Sequence, residues 1–177
     1  MELKWFKLII KLAVISFIIL IAVGILLPKN YSISRSVTIN STSGIIHNYV
    51  GDLNQWDKWG PWQRENPKFK IYKGPVLSNV GAHESWISGD SGGELTFTKS
   101  DPDYGIEYEL KFNNGKYKSL SSIRYDKSDN TTKVTWNMTG ITDMPVLGGY
   151  FALLLDPIVG DMFQEGLNNL KQLVEHS

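Results

Sequence analysis

The chain has 177 residues, with 18 basic and 18 acidic side chains, 42% hydrophobic residues and 12% aromatic residues. This composition excludes a disordered chain, and the length suits one domain rather than two. The sequence contains no cysteine and only three histidines, which excludes disulfides, cysteine-ligated zinc, iron–sulfur clusters and thiol catalysis. We therefore expect neither a metal site nor a cofactor.

Residues 8–27 form an apolar run whose single charge, Lys11, lies near its start, and Pro28 follows the run. Twenty residues of α-helix rise about 30 Å, which matches the hydrocarbon core of a bilayer. We therefore predict a transmembrane anchor over residues 1–30, crossing the membrane with residues 8–27. One further domain is predicted over residues 31–177.

A cleaved signal peptide is the alternative for the N-terminal segment, because Lys4 and Lys7 form a basic stretch ahead of the apolar run. Against it, the run is long for a signal peptide, and no Ala-x-Ala-like cleavage site precedes Pro28. Residues 1–30 carry a net charge of +3 and residues 31–177 one of −3. The positive-inside rule predicts a cytoplasmic N-terminus and an extracytoplasmic domain. An acidic domain without a basic stripe argues against nucleic acid as a partner.

The second domain begins with a strand and a short helix. Residues 31–40 alternate apolar and polar side chains, and residues 42–53 carry apolar side chains at helical spacing. Further strand-like runs occupy residues 68–73, 80–88, 93–99, 104–112, 116–125 and 133–140. The hairpin signal Asn113-Asn114-Gly115 joins two of them. Consecutive strands with tight turns predict an antiparallel meander with one solvated face.

The C-terminal residues change to helical periodicity, with one continuous apolar stripe from Phe151 to Val174. Pro157 interrupts this pattern and predicts a kink or a break at Asp156-Pro157. The order of elements predicts an α+β fold in which a curved antiparallel sheet wraps around a long C-terminal helix. A gap between sheet and helix would form a pocket.

Four segments, residues 35–62, 80–103, 133–140 and 161–175, resemble the SRPBCC or START-like superfamily, and within it the bacterial polyketide cyclase-like proteins. The resemblance implies the helix-grip fold, and a membrane-anchor prefix is also seen among such proteins. It implies much less about activity, because the superfamily includes lipid carriers, hormone binders and cyclases and has no shared catalytic motif.

Two polar residues depart from the pattern of that superfamily. Glu84 precedes Trp86 where relatives often have an aromatic residue, and strand alternation turns both side chains the same way. Desolvation would raise the pKa of an inward-facing carboxyl, which could act as an acid, a base or a ligand anchor. The alternative places Glu84 at a bulge or in water at the pocket mouth. His47 stands where a phenylalanine is common.

The three histidines are weak candidates for chemistry. His47 lies beside an apolar helix stripe without a recognisable triad, so we expect a hydrogen-bonded, partly exposed ring. His83 faces away from Trp86 by strand alternation, and His176 is terminal. No catalytic constellation is evident, which favours a binding protein over an enzyme.

Aromatic residues supply the expected pocket. Trp56, Trp59 and Trp62 either line the floor of a ligand site or pack as a plug between the first helix and the sheet. The remaining candidate pocket residues are Glu84, Trp86, Phe97, Tyr108, Trp136, Met138, Phe151 and Phe163.

Three functions are consistent with these features. The favoured one is a membrane-anchored domain that binds a hydrophobic small molecule or lipid between the sheet and the C-terminal helix. The second is a polyketide cyclase-like enzyme that uses Glu84 as acid or base. The third is an interaction domain at the membrane that binds no ligand.

Overall fold

The computed structural model describes residues 2–61 and 69–176, with side chains from residue 5 and, after the gap, from residue 70. An N-terminal helix leads into a seven-stranded sheet, and a long helix ends the chain. The elements in chain order are α1 (Glu2–Leu26), β1 (Asn30–Ile39), α2 (Ser43–Val50), α3 (Trp56–Trp59), β2 (Phe69–Lys73), β3 (His83–Ser88), β4 (Ser91–Asp101), β5 (Gly105–Phe112), β6 (Tyr117–Ser128), β7 (Thr131–Ile141) and α4 (Gly148–Glu175).

Helix α1 is long and apolar enough over Trp5–Leu26 to cross a membrane, and almost none of it is buried against the rest of the chain. A core helix of a soluble domain would have its apolar side chains covered. The exposure of α1 therefore separates it from the core, while its length and composition are also those of a signal sequence.

All seven strands pair antiparallel in the order β1-β7-β6-β5-β4-β3-β2. The predicted meander of consecutive strands is confirmed, and β1 closes against β7, so the first and last strands are neighbours. The predicted hairpin between β5 and β6 is also confirmed. Asn113, Asn114 and Gly115 all have positive φ angles there, a conformation that asparagine and glycine tolerate best.

Helix α4 lies across the sheet and buries Phe163, Leu167, Leu170 and Val174 against it. The α+β helix-grip fold predicted from the sequence is thereby confirmed. The helix is continuous through Pro157, so of the two predicted alternatives the break into two helices is wrong, and the kink stays a prediction. Proline removes only one backbone donor, and the carbonyl that loses its partner belongs to Leu153, a residue that is 60% exposed.

A salt bridge ties this part of α4 to the first strand. Arg35 on β1 donates from Nη1 to Oδ1 of Asp156 at 3.0 Å and from Nη2 to the Asp156 carbonyl oxygen at 3.2 Å. A Cβ atom on Gly160 would overlap the guanidinium. Glycine at this position therefore lets Arg35 lie against the helix directly after Pro157.

Helices α2 and α3 cover the concave side of the sheet next to α4. The indole nitrogen of Trp56 donates to the carbonyl oxygen of Val50 at 2.9 Å, and that of Trp59 donates to Tyr49 at 3.2 Å. Both rings are buried. Their N–H groups thus satisfy carbonyls at the C-terminal end of α2 while the ring faces join the core.

Candidate functional site

A cavity of about 250 Å³ lies between the inner face of the sheet and α4. Its walls come from α3, from strands β2 to β5 and β7, and from the middle of α4. The lining residues are Trp56, Ile71, Glu84, Trp86, Leu95, Tyr108, Leu110, Phe112, Trp136, Met138, Val159, Met162 and Phe163. Its volume lies just below the range of roughly 300–1,000 Å³ found for small-molecule sites.

Trp86 forms one wall, and a glycine on the next strand makes room for its ring. Trp86 lies opposite Gly93 in the register of β3 and β4. A Cβ atom on Gly93 would overlap both the Trp86 ring and the carbonyl oxygen of Lys111. The indole can therefore lie against the backbone of β4, where its ring centroid is 5.8 Å from that of Phe112.

The floor of the cavity is a hydrogen-bonded aromatic group. Trp136 on β7 stacks on Phe163 of α4 with 4.1 Å between ring centroids and an interplanar angle of 3°. Its indole nitrogen donates to the hydroxyl of Tyr108 at 2.8 Å. Burial raises the pKa of the Tyr108 hydroxyl, so this residue stays neutral and supports the floor rather than acting as a base.

Glu84 is the one charged residue among the described residues that line the cavity. It lies two residues before Trp86 on β3, and β3 is regular there, so the bulge alternative does not apply. Only 3% of Glu84 is exposed. Its Oε2 atom is buried, and no described residue forms a hydrogen bond to it. A buried polar atom without a partner is costly and calls for an explanation.

Burial raises the pKa of the Glu84 carboxyl from 4.5 to about 7, the negative charge of Asp57 adds to the rise, and Lys73 opposes it. Lys73 is the cross-strand neighbour of Glu84 on β2, but its ammonium donates to Oδ2 of Asp57 at 2.9 Å. Below about pH 7 the carboxyl is therefore a neutral acid that can donate one hydrogen bond and accept others.

The cavity brings together seven of the residues singled out from the sequence: Trp56, Glu84, Trp86, Tyr108, Trp136, Met138 and Phe163. Trp59 and Phe97 are buried but lie behind the wall, each packed on Trp56 with ring centroids 5.3 Å and 5.8 Å away. The two tryptophans therefore differ in role, because Trp56 lines the cavity and Trp59 packs in the core behind it. Trp62 lies outside the described residues.

Phe151 does not line the cavity. It is 47% exposed on the first turns of α4, because the side of the helix that faces the sheet there is occupied by Gly148 and Ala152. Six cavity residues were not singled out from the sequence: Ile71, Leu95, Leu110, Phe112, Val159 and Met162. Strand alternation from Tyr108 places Leu110 and Phe112 on the cavity side of β5. Val159 and Met162 could not be identified in this way, because the angle at which α4 crosses the sheet decides which of its residues face the cavity.

The histidines lie away from the cavity. The two ring nitrogens of His47 are within 3.2 Å of the Tyr125 hydroxyl and 3.1 Å of Ser100 Oγ, and burial lowers the pKa of the ring. His83 pairs with Thr96 and His176 with the carbonyl of Gln172. His47 therefore links α2 to the sheet. Over residues 2–61 and 69–176, no three His, Asp or Glu side chains form a metal-binding group.

An antiparallel sheet that holds a long C-terminal helix over an apolar cavity defines the helix-grip class of proteins. The chain belongs to the polyketide cyclase/dehydrase and lipid transport family, whose match covers residues 31–175. Comparison with functionally curated proteins finds no match to this chain.

Solved structures share this fold at low sequence identity. A protein of Chromobacterium violaceum is 16% identical with a TM-score of 0.56 over 82% of this chain and 98% of that one. A protein of Arthrobacter aurescens is 14% identical with a TM-score of 0.60 over 82% and 87% of the two chains. Ara h 8.0201 is 12% identical with a TM-score of 0.58 over 84% and 99%. At such identities the likeness establishes the fold alone.

Proposed function

We propose that this protein binds a hydrophobic small molecule, or one apolar part of a lipid, in the cavity between the sheet and α4. The observation that carries the proposal is the cavity itself, whose apolar lining surrounds one buried carboxyl with an unpaired oxygen. An apolar cavity with a single polar group suits a ligand that is apolar except at one position. The family description, which includes lipid transport, agrees with this proposal.

The position of Glu84 implies that the ligand carries a polar group that can form a hydrogen bond with the buried carboxyl. The ligand should bring a small polar group to Oε2, either a hydroxyl, amide or amine that donates to this oxygen or, where the neutral carboxyl carries its proton there, an acceptor such as a carbonyl. A purely aliphatic ligand would leave it unpaired. We therefore expect an amphiphile with a small polar group to bind more tightly than a hydrocarbon of the same shape.

Native mass spectrometry of the full chain, purified in mild detergent from a lipid-containing host, tests the binding. Met162→Trp enlarges a residue at the cavity rim that is 38% exposed, so the substitution should narrow the mouth without disturbing the core. Leu120→Trp makes the same kind of change at a position that is 63% exposed on the outer face of β6. Lipid associated with α1 should be equal in all three proteins.

A species bound to wild type and to Leu120→Trp but depleted in Met162→Trp is the expected result. Its mass would identify the chemical class of the ligand. Equal amounts of every bound species in the three proteins would contradict binding in the cavity, and so would a wild-type protein that carries nothing when supplied with host lipid.

We propose further that α1 anchors the protein in a membrane with its N-terminus in the cytoplasm. The length and exposure of Trp5–Leu26 support the anchor, and the lysines before the apolar run support the orientation. Protease treatment of intact cells should remove the domain and leave α1 protected. A full-length chain that resists protease until the cells are permeabilised would contradict the orientation, and release by alkaline carbonate washing would contradict the anchor.

A polyketide cyclase-like enzyme is the second candidate, and the buried Glu84 favours it. A carboxyl with its pKa near 7 is suited to general acid–base catalysis at neutral pH. The probe would be a linear poly-β-ketone, with cyclised products followed by mass spectrometry. Cyclisation at equal rates by wild type and Glu84→Gln would reject this candidate, and loss of the wild-type product in Glu84→Gln would favour it over simple binding.

A further inference from the structure

The surface of helix α4 changes along its length. In the half nearer to α1, one face of the helix is apolar and exposed. We call this face the apolar stripe, and its members, each between 38% and 61% exposed, are Leu147, Phe151, Leu154, Ile158 and Met162. In the other half, the exposed residues are Glu165, Asn168, Gln172 and His176. Soluble surfaces seldom expose an apolar patch of this continuity without a binding role.

The apolar stripe starts where α4 touches the candidate anchor. The hydroxyl of Tyr150 donates to the carbonyl oxygen of Leu20 at 2.8 Å, and Gly24 lies against Val146. Leu20 is six residues before the end of α1 at Leu26, which is about 9 Å along a helix axis. Gly149, in the first turn of α4, lies against Leu27, the last residue of the apolar run. When α1 spans a bilayer, this turn therefore lies at the depth of the membrane interface, and the Tyr150 hydroxyl reaches the more deeply placed Leu20.

Helix α4 runs from that contact towards the opposite end of the domain. Its far end is fixed to the end of β1, where Lys171 donates to the Thr38 carbonyl at 2.6 Å and the Asn40 amide donates to Glu175 at 2.7 Å. The apolar half of its surface is thus the half nearest the anchor, and the polar half is the distant one. The change of polarity follows the distance from α1.

The apolar stripe also leads to the cavity. Met162 belongs to the stripe and lines the cavity, and Val159, beside it on the helix, lines the cavity while half-buried. Ile158 is one helical turn before Met162, so apolar surface continues from Phe151 to the cavity mouth. The exposed Asp161, one turn after Ile158, borders this surface beside Met162, so a molecule that follows the stripe passes one charged side chain before the cavity.

We propose that the apolar stripe lies in the interface of the bilayer that holds α1, so that the cavity exchanges its ligand with the membrane past Met162. The inference rests on the proposed anchoring by α1. A bilayer is favoured over a protein partner because the stripe begins beside α1, the element proposed to enter the bilayer, and ends where the surface of α4 turns polar. The buried cavity then opens towards lipid.

The absence of cysteine makes the test direct. Single cysteines at Phe151 and Ile158 are labelled with an environment-sensitive fluorophore in the full-length chain. A third cysteine, at Ile45 on α2 at the far end of the domain, is the control. Ile45 is 48% exposed and Phe151 is 47% exposed, so the two positions are matched in exposure. A fourth at Ile15 reports on α1. The proteins are reconstituted into phosphatidylcholine and phosphatidylglycerol vesicles with or without doxyl-labelled phosphatidylcholine as a quencher.

We expect lipid quenching at positions 15, 151 and 158 and none at position 45. Quenching at 15 without quenching at 151 overturns the inference while the anchor stands. No quenching at 15 overturns the anchor itself, which distinguishes the two failures. Quenching at 151 but not at 158 overturns the proposed route to the cavity. A label at 151 shielded from both lipid quencher and aqueous iodide indicates a protein partner instead and also overturns it.

A charge substitution adds a matched control. Leu154→Glu places a carboxylate in the middle of the apolar stripe, and Gln172→Glu places one on the polar half of the same helix; both positions are exposed. In the Phe151→Cys background, Leu154→Glu should reduce quenching severalfold because a charge resists entry into the interface. Gln172→Glu should leave quenching unchanged. Equal quenching in the two variants would contradict docking through the stripe.

Discussion

Replacing Glu84 by glutamine should change how the stability of the protein depends on pH. The carboxyl is 3% exposed in an apolar cavity, and its pKa rises from 4.5 to about 7 on folding. The folded chain therefore holds one more proton than the unfolded chain between those two pH values. Because the folded state binds more protons there, the free energy of unfolding falls as pH rises through this window and is constant above it.

The size of the effect follows from the same values. A pKa that differs between folded and unfolded states changes stability by 1.36 kcal/mol for each pH unit of difference. The rise from 4.5 to about 7 thus corresponds to a loss of about 3 kcal/mol in wild type across the window. Glutamine has nearly the same shape and does not titrate. Any cost of burying its amide is the same at every pH.

The measurement is the free energy of unfolding of the full chain in detergent micelles, obtained by denaturant titration at several pH values. Relative to wild type, Glu84→Gln should gain about 3 kcal/mol between about pH 4.5 and about pH 8. Glu109→Gln is the control, because it removes a carboxylate from an exposed position on β5, and it should reproduce the wild-type slope. Parallel profiles for wild type and Glu84→Gln would refute the assignment of a neutral, buried carboxyl.

Three further substitutions test the packing around the cavity. Tyr108→Phe should cost about 1–3 kcal/mol of unfolding free energy, because it leaves the buried indole N–H of Trp136 without its acceptor. Leu167→Ala should cost about 2–5 kcal/mol, because Leu167 is fully buried between α4 and the sheet. Gly93→Ala should displace the Trp86 ring, destabilise the protein and weaken ligand binding, because the added methyl overlaps that ring. Denaturant titration measures all three, and tryptophan fluorescence reports the third.

Each of these substitutions has a matched control in the chain. Tyr72→Phe removes a hydroxyl from a residue that is 51% exposed, and Leu153→Ala shortens one that is 60% exposed and lies outside the apolar stripe. Gly44→Ala adds a methyl in α2 where no atom lies within 4 Å. The first two should change the free energy of unfolding by no more than about 0.5 kcal/mol, and Gly44→Ala should not lower it, because alanine is favoured over glycine in a helix. A control that destabilises as much as its partner would contradict the corresponding packing argument.

Much of the candidate site could be predicted because strands alternate strictly. Once Trp86 is taken to face inward, Glu84 must face inward as well, and the same rule on β5 places Tyr108, Leu110 and Phe112 on one face. Strand alternation could not predict which side chains form hydrogen bonds with the Glu84 carboxyl. Its partnerless oxygen depends on Lys73 donating to Asp57 on α3, and that contact joins residues of different elements.

The sequence alone determined most elements of this protein, because each depends on a local pattern, but it did not predict the short helix α3. The apolar run gave a helix of membrane length, the alternation gave the strands, and Asn113-Asn114-Gly115 gave a hairpin. Tertiary structure decided which side of α4 is covered. The first half of that helix is apolar over more than one face, so periodicity could not distinguish Phe151, which is exposed, from Met162 at the cavity mouth. Only the angle at which α4 crosses the sheet selects the face that closes the cavity and the face left open beside α1.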